Sequence, residues 1–283
     1  MPLDRAWVAL SLMRHVGSKT LHALTQHFGS TEAVLQASAE ELQAVRGVGK
    51  KIAESITAID RAQVERKIQA WQASGVMMLP TDAAHYPQPL HTLEDAPATL
   101  FIRGDHFPHP WRPAAAIIGT RNPSQEARKT AFDLGASLAA QGWIIVSGLA
   151  LGVDEAAHKG ALSTNGLTVA VLGGGVLNVY PRQNYELARK IMESGALLGE
   201  NAPDADASPP RLVSRNRIIS GLCQHVIVVE TSINGGAMYA AKAAITQGRT
   251  LHAVGYPASG NLQLLKEGAR YIPPDGSDYS LPF

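Results

Sequence analysis

The sequence has one cysteine, Cys223, and no apolar run long enough to cross a membrane. A single cysteine excludes a disulfide framework and a cysteine-based metal site and is typical of a reducing compartment, so we expect a cytoplasmic protein. The charged residues Asp4 and Arg5 come early, and no signal-peptide core follows them. We therefore expect no contact with a membrane.

Net charge and aromatic residues are also scarce. A net charge of +1 gives no global attraction to nucleic acid, so a basic site must be assembled by folding. Aromatic residues make up 6% of the chain, too few for a surface that stacks many bases. His106 and His109 lie among prolines without a carboxylate or cysteine at a useful spacing. We therefore predict no metal site, and we expect no cofactor.

The pattern of residues 1–68 predicts a small all-helical domain, in which glycines end several short helices. The last of these helices is predicted over residues 50–68. The run from Arg46 to Lys51 resembles a helix-hairpin-helix, whose Gly-Val-Gly turn presents backbone amides to a DNA phosphate. The candidate DNA contacts there are Gly47, Gly49, Lys50 and Lys51. A tight helix-packing turn would use the same glycines, so both interpretations stay open. A weaker copy of the turn spans residues 14–20.

Residues 69–283 predict a larger α/β domain. Apolar runs at residues 116–118, 143–146 and 167–172 each end in a glycine-rich turn, and an amphipathic helix separates the first two runs. Buried strands alternating with helices indicate an extended Rossmann-like, mostly parallel sheet with helices on both faces. We expect the proline-rich residues 69–113 to extend this sheet and residues 201–211 to form a loop.

The three glycine turns are predicted to lie on one edge of the sheet, since parallel strands end there together. Glycine turns at helix starts leave backbone N–H groups free for an anion, which predicts a phosphate site. Neither G-x-G-x-x-G nor G-x-x-x-x-G-K-[ST] is present, so NAD and an ATP-hydrolysing P-loop are not expected.

Arginines are the side chains expected to complete this site. Arg121 lies in the first turn, and Arg215 and Arg217 follow a loop that could reach the same edge. A guanidinium binds phosphate through paired hydrogen bonds, so we predict that the three converge there. Glu200 and Glu230 end strands at this edge and could act as general bases, but pairing with an arginine or holding a loop is the preferred interpretation.

Asp154 and His158 are four residues apart and would share a helix face, as an acid–base couple does. We favour Asp154 as the N-cap of that helix, a structural role, because it precedes a helical run. The sequence supplies no third ligand and no nucleophile with a base nearby, so neither a metal centre nor a covalent mechanism is indicated.

Several motifs in fixed order resemble the DNA-processing protein A family, called DprA or Smf. They are Gly119-Thr120-Arg121, the run from Ser147 to Asp154, Tyr180-Pro181-x-x-Asn184 and the run from Arg215 to Leu222. The resemblance implies a protein that binds single-stranded DNA, forms a homodimer and helps to load RecA recombinase in natural transformation. The candidate DNA site comprises Gly119, Thr120, Arg121, Ser147, Gly148, Lys159, Gly173, Gly175, Arg215, Asn216, Arg217, Gly235 and Gly236.

The chain departs from the family pattern in three places. Leu212-Val213 stands where the family has Phe-Pro, and Gly235-Gly236-Ala237 replaces a hydroxyl-rich run. The resemblance also implies a form without the C-terminal winged-helix-like domain of many members. The alternative function is a nucleotide-binding or nucleoside-monophosphate-hydrolysing relative of the lysine-decarboxylase-like (LOG) fold group. Lys242 occupies the position of the catalytic glutamate of that group, so we predict a protein that is not an enzyme.

Overall fold

The computed structural model describes residues 3–13, 16–275 and 279–282. The N-terminal part of the chain is helical. Its helices are α1 (Arg5–Ser11), α2 (Ser18–Phe28), α3 (Thr31–Gln36), α4 (Ala39–Gln43), α5 (Lys50–Thr57) and α6 (Arg61–Ala73). The prediction of one helix over residues 50–68 is wrong, because Asp60 ends the connection and caps a new helix. Its carboxylate accepts a hydrogen bond from the backbone N–H of Gln63 at 2.9 Å.

The helical part packs directly on the sheet. The indole Nε1 of Trp7 donates a hydrogen bond to the carbonyl of Ala98 at 2.9 Å. The ring of Trp71 meets Phe101 edge-on, with 5.9 Å between the centroids. Both tryptophans are buried. The helices therefore share apolar contacts with the sheet that follows.

The sheet confirms the predicted mostly parallel architecture. Its strands are β1 (Met77–Pro80), β2 (Thr99–Arg103), β3 (Ala114–Ile118), β4 (Ile144–Ser147), β5 (Thr168–Val171), β6 (Ala196–Gly199), β7 (His225–Val228), β8 (Thr250–Val254) and β9 (Arg270–Ile272). The spatial order is β1-β2-β6-β5-β4-β3-β7-β8-β9. Only the pairs β1–β2 and β2–β6 are antiparallel within the described ranges, so the early strands extend a parallel sheet.

Helices cover both faces of this sheet. They are α7 (Gln125–Ala140), α8 (Val153–Ser163), α9 (Tyr185–Ser194), α10 (Pro209–Ser214), α11 (Asn216–Gly221), α12 (Ala237–Thr246) and α13 (Ser259–Lys266). The helices α7 and α8 pack on Ile117 and Ile145, whereas α11 and α12 pack on the opposite face, against Val146 and Val228. Within the part of the chain that the structure describes, no helix combines the length and apolarity needed to cross a bilayer.

Residues 209–221 are helical, which corrects two expectations. The predicted loop at 201–211 ends early, because Pro209 and Pro210 open α10. Proline suits this position, since the first helical N–H groups need no partner within the helix. The arginines at 215 and 217 therefore lie at the junction of α10 and α11, in fixed backbone, and not on a loop free to reach the edge.

β3 is the topological switch point of the sheet, because later strands are added on both of its sides. The chain leaves β3 towards β4 on one side, and β7 later pairs with the other side of β3. In open sheets of this kind, a crevice forms outside the carboxyl ends of the two strands that flank such a switch. The fold thus places a cleft between the ends of β3 and β7.

Candidate nucleic-acid interface

A cavity of about 390 Å³ lies at this position and is called here the switch-point crevice. One wall is the turn Gly119-Thr120-Arg121 after β3, and the opposite wall is the segment from Thr231 to Ala237 after β7. Arg215 and Asn216 line it from the α10–α11 junction, and Asp154 lines it from α8. The crevice therefore collects many of the residues predicted from separate motifs.

Arg121 is the exposed cation of the crevice. The part of the chain that the structure describes offers it no ion pair, and its side chain faces solvent. The turn that carries it is held by a hydrogen bond from the N–H of Thr120 to the carbonyl of Glu230 at 2.7 Å. Gly119 packs tightly here, since a Cβ would lie 2.6 Å from Val153 Cγ2. Arg121 is thus a free guanidinium on a fixed turn.

The start of α12 faces the same crevice. Gly236 occupies the N-cap position, and no side chain caps this helix. Gly236 is exposed, and a Cβ there would meet open space, whereas Gly235 packs against Thr231. The N–H groups of Met238 and Tyr239 donate to the carbonyls of Gly235 and Gly236 at 3.1 and 3.2 Å, whereas those of Gly236 and Ala237 have no acceptor among the described residues. These two N–H groups are therefore available to an anion, and the helix dipole favours negative charge at this end.

Arg215 lines the crevice but is not a free group, so the expectation of a free guanidinium at this position is wrong, while its contact with DNA stays a prediction. It is 6% exposed, and its Nη1 donates hydrogen bonds to the carbonyl of Gly148 and, at 2.8 Å, to that of Val171. The guanidinium ties the ends of β4 and β5 to the α10–α11 junction. Burial lowers the pKa of Arg215, an effect that the nearby Asp154 carboxylate opposes.

Asp154 is a second correction, because the N-cap of α8 is Gly152. Gly152 has φ +85°, and a Cβ there would lie 2.6 Å from the carbonyl oxygens of Thr120 and Arg121. Asp154 instead lies inside the first turn, where its carboxylate accepts hydrogen bonds from the N–H groups of Gly148 (3.1 Å) and Ala150 (3.3 Å). Burial raises its pKa, and Arg215 counteracts the rise.

The turn after β4 is consequently closed by the protein itself. The hydroxyl of Ser147 is buried and donates to the carbonyl of Ile117 at 2.6 Å. The N–H and carbonyl of Gly148 are taken by Asp154 and Arg215 respectively. Ser147 and Gly148 therefore support the crevice from below and do not offer groups to a ligand.

The turn after β5 is also covered. The N–H of Gly175 donates to the carbonyl of Ala205 at 2.8 Å, and the N–H of Leu177 donates to that of Pro203 at 2.8 Å. A Cβ on Gly173 would lie 2.8 Å from Leu212 Cδ2. The acidic segment 202–208 folds back over this turn, so Gly173 and Gly175 are buried and do not present the free backbone N–H groups that the sequence led us to expect at this turn.

Arg217 is held in an internal ion-pair network. Its Nε lies 2.7 Å from Asp95 Oδ2, and its Nη2 lies 2.6 Å from Glu200 Oε2. Glu230 accepts a hydrogen bond from the N–H of Ser124 at 2.8 Å. Glu200 therefore pairs with an arginine and Glu230 holds a loop, so the preferred interpretation of both glutamates is confirmed. Arg217 therefore anchors α11 and does not join Arg121.

Lys159 lies on the outer side of α8 and does not line the crevice. It is exposed and pairs with Glu155 one turn earlier, with 2.5 Å between Nζ and Oε1. Its neighbours belong to a separate groove between α7 and α8.

The helix-hairpin-helix turn has an exposed, uncapped helix start. Gly47 has φ +91°, and Gly49 is the N-cap of α5 without a side-chain hydrogen bond. Lys50 and Lys51 are exposed beside it, and Val48 is buried beneath. In the weaker copy, Gly17 caps α2, while Arg14 and His15 lie outside the described residues.

His158 is buried and does not contact Asp154. Its Nδ1 lies 2.7 Å from the hydroxyl of Thr168, whose own hydrogen is donated to the carbonyl of Ile145 at 2.8 Å. Nδ1 is therefore the donor, and Nε2 has no hydrogen-bond partner among the described residues. Burial, with a smaller contribution from Arg215, lowers the pKa of His158 to about 3. The arrangement is not an acid–base couple.

We expect acid to destabilise the protein through this histidine. The unfolded chain binds a proton at His158 below pH ~6.5 and the folded chain only near pH 3, so stability falls through that window. The loss should be about 2 kcal/mol by pH ~5. Urea denaturation at pH ~7.5 and ~5 measures it, and His158→Gln should show a shallower dependence on pH. An equal dependence in both proteins would contradict this role.

Other residues of the site have no signal in the sequence. Asn261, fully buried in α13, accepts from the N–H of Thr231 at 2.8 Å and donates to the carbonyls of Val229 and Val254, both at 2.8 Å. It thereby fixes the wall after β7. In the described residues, no cluster of three or more His, Cys, Asp or Glu side chains is placed to hold a metal ion.

Comparison with known proteins identifies the family. The model of the DNA recombination-mediator protein A family matches residues 77–278, and that of the helix-hairpin-helix motif matches residues 5–67. The DNA processing protein DprA of Bacillus subtilis is 34% identical over 215 residues, which cover 74% of this chain and 72% of that protein.

Two solved structures agree with this assignment. The X-ray structure of DNA processing protein A from Streptococcus pneumoniae superposes with a TM-score of 0.81 at 26% identity, covering 98% of this chain and 97% of that one. The structure of the Helicobacter pylori protein, reported for its single-stranded DNA binding mode, has a TM-score of 0.63 at 28% identity, with 70% and 90% covered. The chain belongs to the DNA recombination-mediator protein A family, the family of DprA and Smf.

Proposed function

We propose that this chain acts in DNA processing by binding single-stranded DNA in the switch-point crevice. The observation that carries the proposal is the exposed guanidinium of Arg121, which forms no ion pair with any described residue, in a crevice that also holds the uncapped start of α12 at Gly236. A guanidinium and bare helix-start amides are both phosphate ligands. The reported binding mode of the Helicobacter pylori relative supports single-stranded DNA as the polyanion.

We propose further that the chain holds the strand without reacting with it. The carboxylates at this edge are occupied, since Glu200 pairs with Arg217 and Glu230 holds the N–H of Ser124. Lys242 is exposed on α12, where a nucleotide hydrolase of similar pattern needs a glutamate, and an ammonium cannot act as a carboxylate base. Incubation with nucleoside monophosphates should release no free base.

Partners follow from the family. Its members are described as recombination mediators, which supports delivery of the strand to a RecA-type recombinase, and we propose that a cytoplasmic homodimer does so.

The helix-hairpin-helix turn is proposed as a second phosphate contact, through the amides at Gly49 and the side chains of Lys50 and Lys51. Their exposure supports that role.

Arg121→Ala is expected to lower the affinity for single-stranded DNA about tenfold at low salt, because a charge-assisted phosphate contact is lost. The slope of log affinity against log salt should fall by about 0.7, the value for one phosphate on a single strand. The loss should be equal for different base sequences. Fluorescence anisotropy at two salt concentrations measures both quantities. The matched control is Lys266→Ala, at the far end of α13, and an unchanged slope for Arg121→Ala would refute the assignment.

A further inference from the structure

A second concave surface lies beside the crevice. The groove between the N-terminal halves of α7 and α8, called here the α7–α8 groove, has a volume of about 660 Å³. The side chains used below are Arg128, Lys129, Phe132, Glu155 and Lys159, all of which line it. Because α7 and α8 follow the parallel strands β3 and β4, their first turns lie at the same edge of the sheet as the crevice.

Phe132 is an aromatic ring held in the open. Its side chain is 36% exposed, although the neighbouring apolar residues Leu134 and Leu138 of the same helix are fully buried. The cause is local, because the backbone of α7 at Phe132 packs against Gly160 of α8 so closely that no side chain fits between them. Phe132 therefore lines the groove as a partly exposed aromatic residue, and aromatic rings are the side chains on which bases stack.

Cations flank this ring. Arg128 is exposed and forms no ion pair within the described residues, whereas Lys129 and Lys159 pair with acids on their own helices, Asp133 and Glu155. Both lysines remain largely open, with 74% and 53% of their side chains exposed. Phosphates could therefore displace these weak surface pairs and meet Arg128 directly.

The groove and the crevice are lined by consecutive residues of α8, since Asp154 lines the crevice and Glu155 lines the groove. The N–H of Val153, the first residue of α8, donates to the carbonyl of Thr120 at 3.2 Å. The absent Cβ of Gly152 leaves room for the backbone of Arg121 at the same place. The turn that carries Arg121 thus packs on the start of α8, two residues before Glu155 of the groove, and Phe132 lies roughly 10 Å further along α7 than Gln125.

We propose that the α7–α8 groove continues the path of single-stranded DNA beyond the crevice. A base stacks on Phe132, and the adjoining phosphates approach Arg128 and Lys159. This inference rests on the proposed function and adds to it a stacking contact and a longer binding site. A nucleic acid fits this surface because an exposed ring between cations offers both a π face and charge to successive nucleotides.

The test compares oligothymidylates of about four and about twelve nucleotides, the range of single-strand sites. Phe132→Leu keeps an apolar side chain but loses the ring, and Phe132→Tyr keeps the ring. We expect Phe132→Leu and Arg128→Ala each to weaken binding of the longer strand at least about fivefold, and Phe132→Tyr to bind as the wild type does. The short strand, held in the crevice, should bind equally well to all variants. Lys266→Ala is the control.

The outcomes separate this inference from the proposed function. In one outcome the wild type binds both strands, Arg121→Ala lowers the affinity for both, and Phe132→Leu and Arg128→Ala leave the affinity for the longer strand unchanged. That outcome overturns only the groove inference, and the groove is then a candidate site for a protein partner. If the wild type binds neither strand, the proposed function fails as well. Phe132 and Arg128 are both exposed, so we expect each variant to unfold at the temperature of the wild type. Thermal unfolding checks this and shows whether a loss of binding comes from a loss of folding.

Discussion

Arg215→Ala is expected to lower the free energy of unfolding by about 3–5 kcal/mol, the range measured when one member of a buried charge pair is removed. The substitution leaves the carbonyls of Gly148 and Val171 without their donor and Asp154 without the nearby cation. Each of these groups is buried and cannot recover a hydrogen bond from water at no cost. Urea denaturation at neutral pH measures the loss.

Arg215→Lys separates the contributions of charge and geometry. A lysine keeps the positive charge, but its side chain is one bond shorter than the path to Nη1, which donates both hydrogen bonds, so we expect an intermediate loss. Arg121→Ala is the matched control, because the exposed guanidinium of Arg121 supports no internal contact and its removal should change stability by less than about 0.5 kcal/mol. Full stability of Arg215→Ala would show that the buried hydrogen bonds contribute nothing.

Local sequence patterns predicted the framework of the site. The continuous apolar runs that end in glycine turns correspond to β3, β4 and β5, because a strand buried on both faces must be apolar throughout. The amphipathic helix expected between the first two runs corresponds to α7. The start of α6 was missed although the sequence holds a signal for it, since Asp60 precedes the helix as a capping residue does.

The hydrogen-bond and ion-pair partners of Arg215 and Arg217 could not be predicted from the sequence. Arg215 bonds to a carbonyl 67 residues earlier, and Arg217 bonds to acids from two other segments. Composition gives the number of charges, but only the packed chain decides which of them meet. The covering of Gly175 by residues 202–208 is of the same kind, because nothing in an acidic, proline-rich run states that its carbonyls will satisfy the amides of another turn.

These corrections change how the site would work. A cluster of three free arginines would bind phosphate through three guanidiniums, whereas in the described part of the chain the crevice presents one guanidinium without an ion pair, Arg121, and a helix start. Arg215 and Arg217 hold the walls in place, so the geometry of the crevice depends on buried polar contacts that cannot rearrange cheaply. The family motif thus contains both contact residues and residues that support them.

Gly160→Ala is expected to destabilise the protein by about 2–3 kcal/mol, against the usual trend for alanine in a helix. At an open helical position the change from glycine would gain up to ~1 kcal/mol. At Gly160 the new Cβ would overlap the carbonyl oxygen of Phe132 and lie 2.9 Å from its carbon and 3.0 Å from the N of Ala136. These are backbone atoms, so α7 and α8 must separate.

Separation of the two helices should also alter the α7–α8 groove, because the ring of Phe132 lies directly over the contact. Denaturation gives the loss of stability, and Gly17→Ala is the control, since a Cβ there meets open space and the change at this N-cap should cost only about 0.5–1 kcal/mol. Equal stability of Gly160→Ala and the wild type would mean that the helices can move apart without loss. Close packing of the two backbones would then not be the reason why the side chain of Phe132 is exposed to solvent.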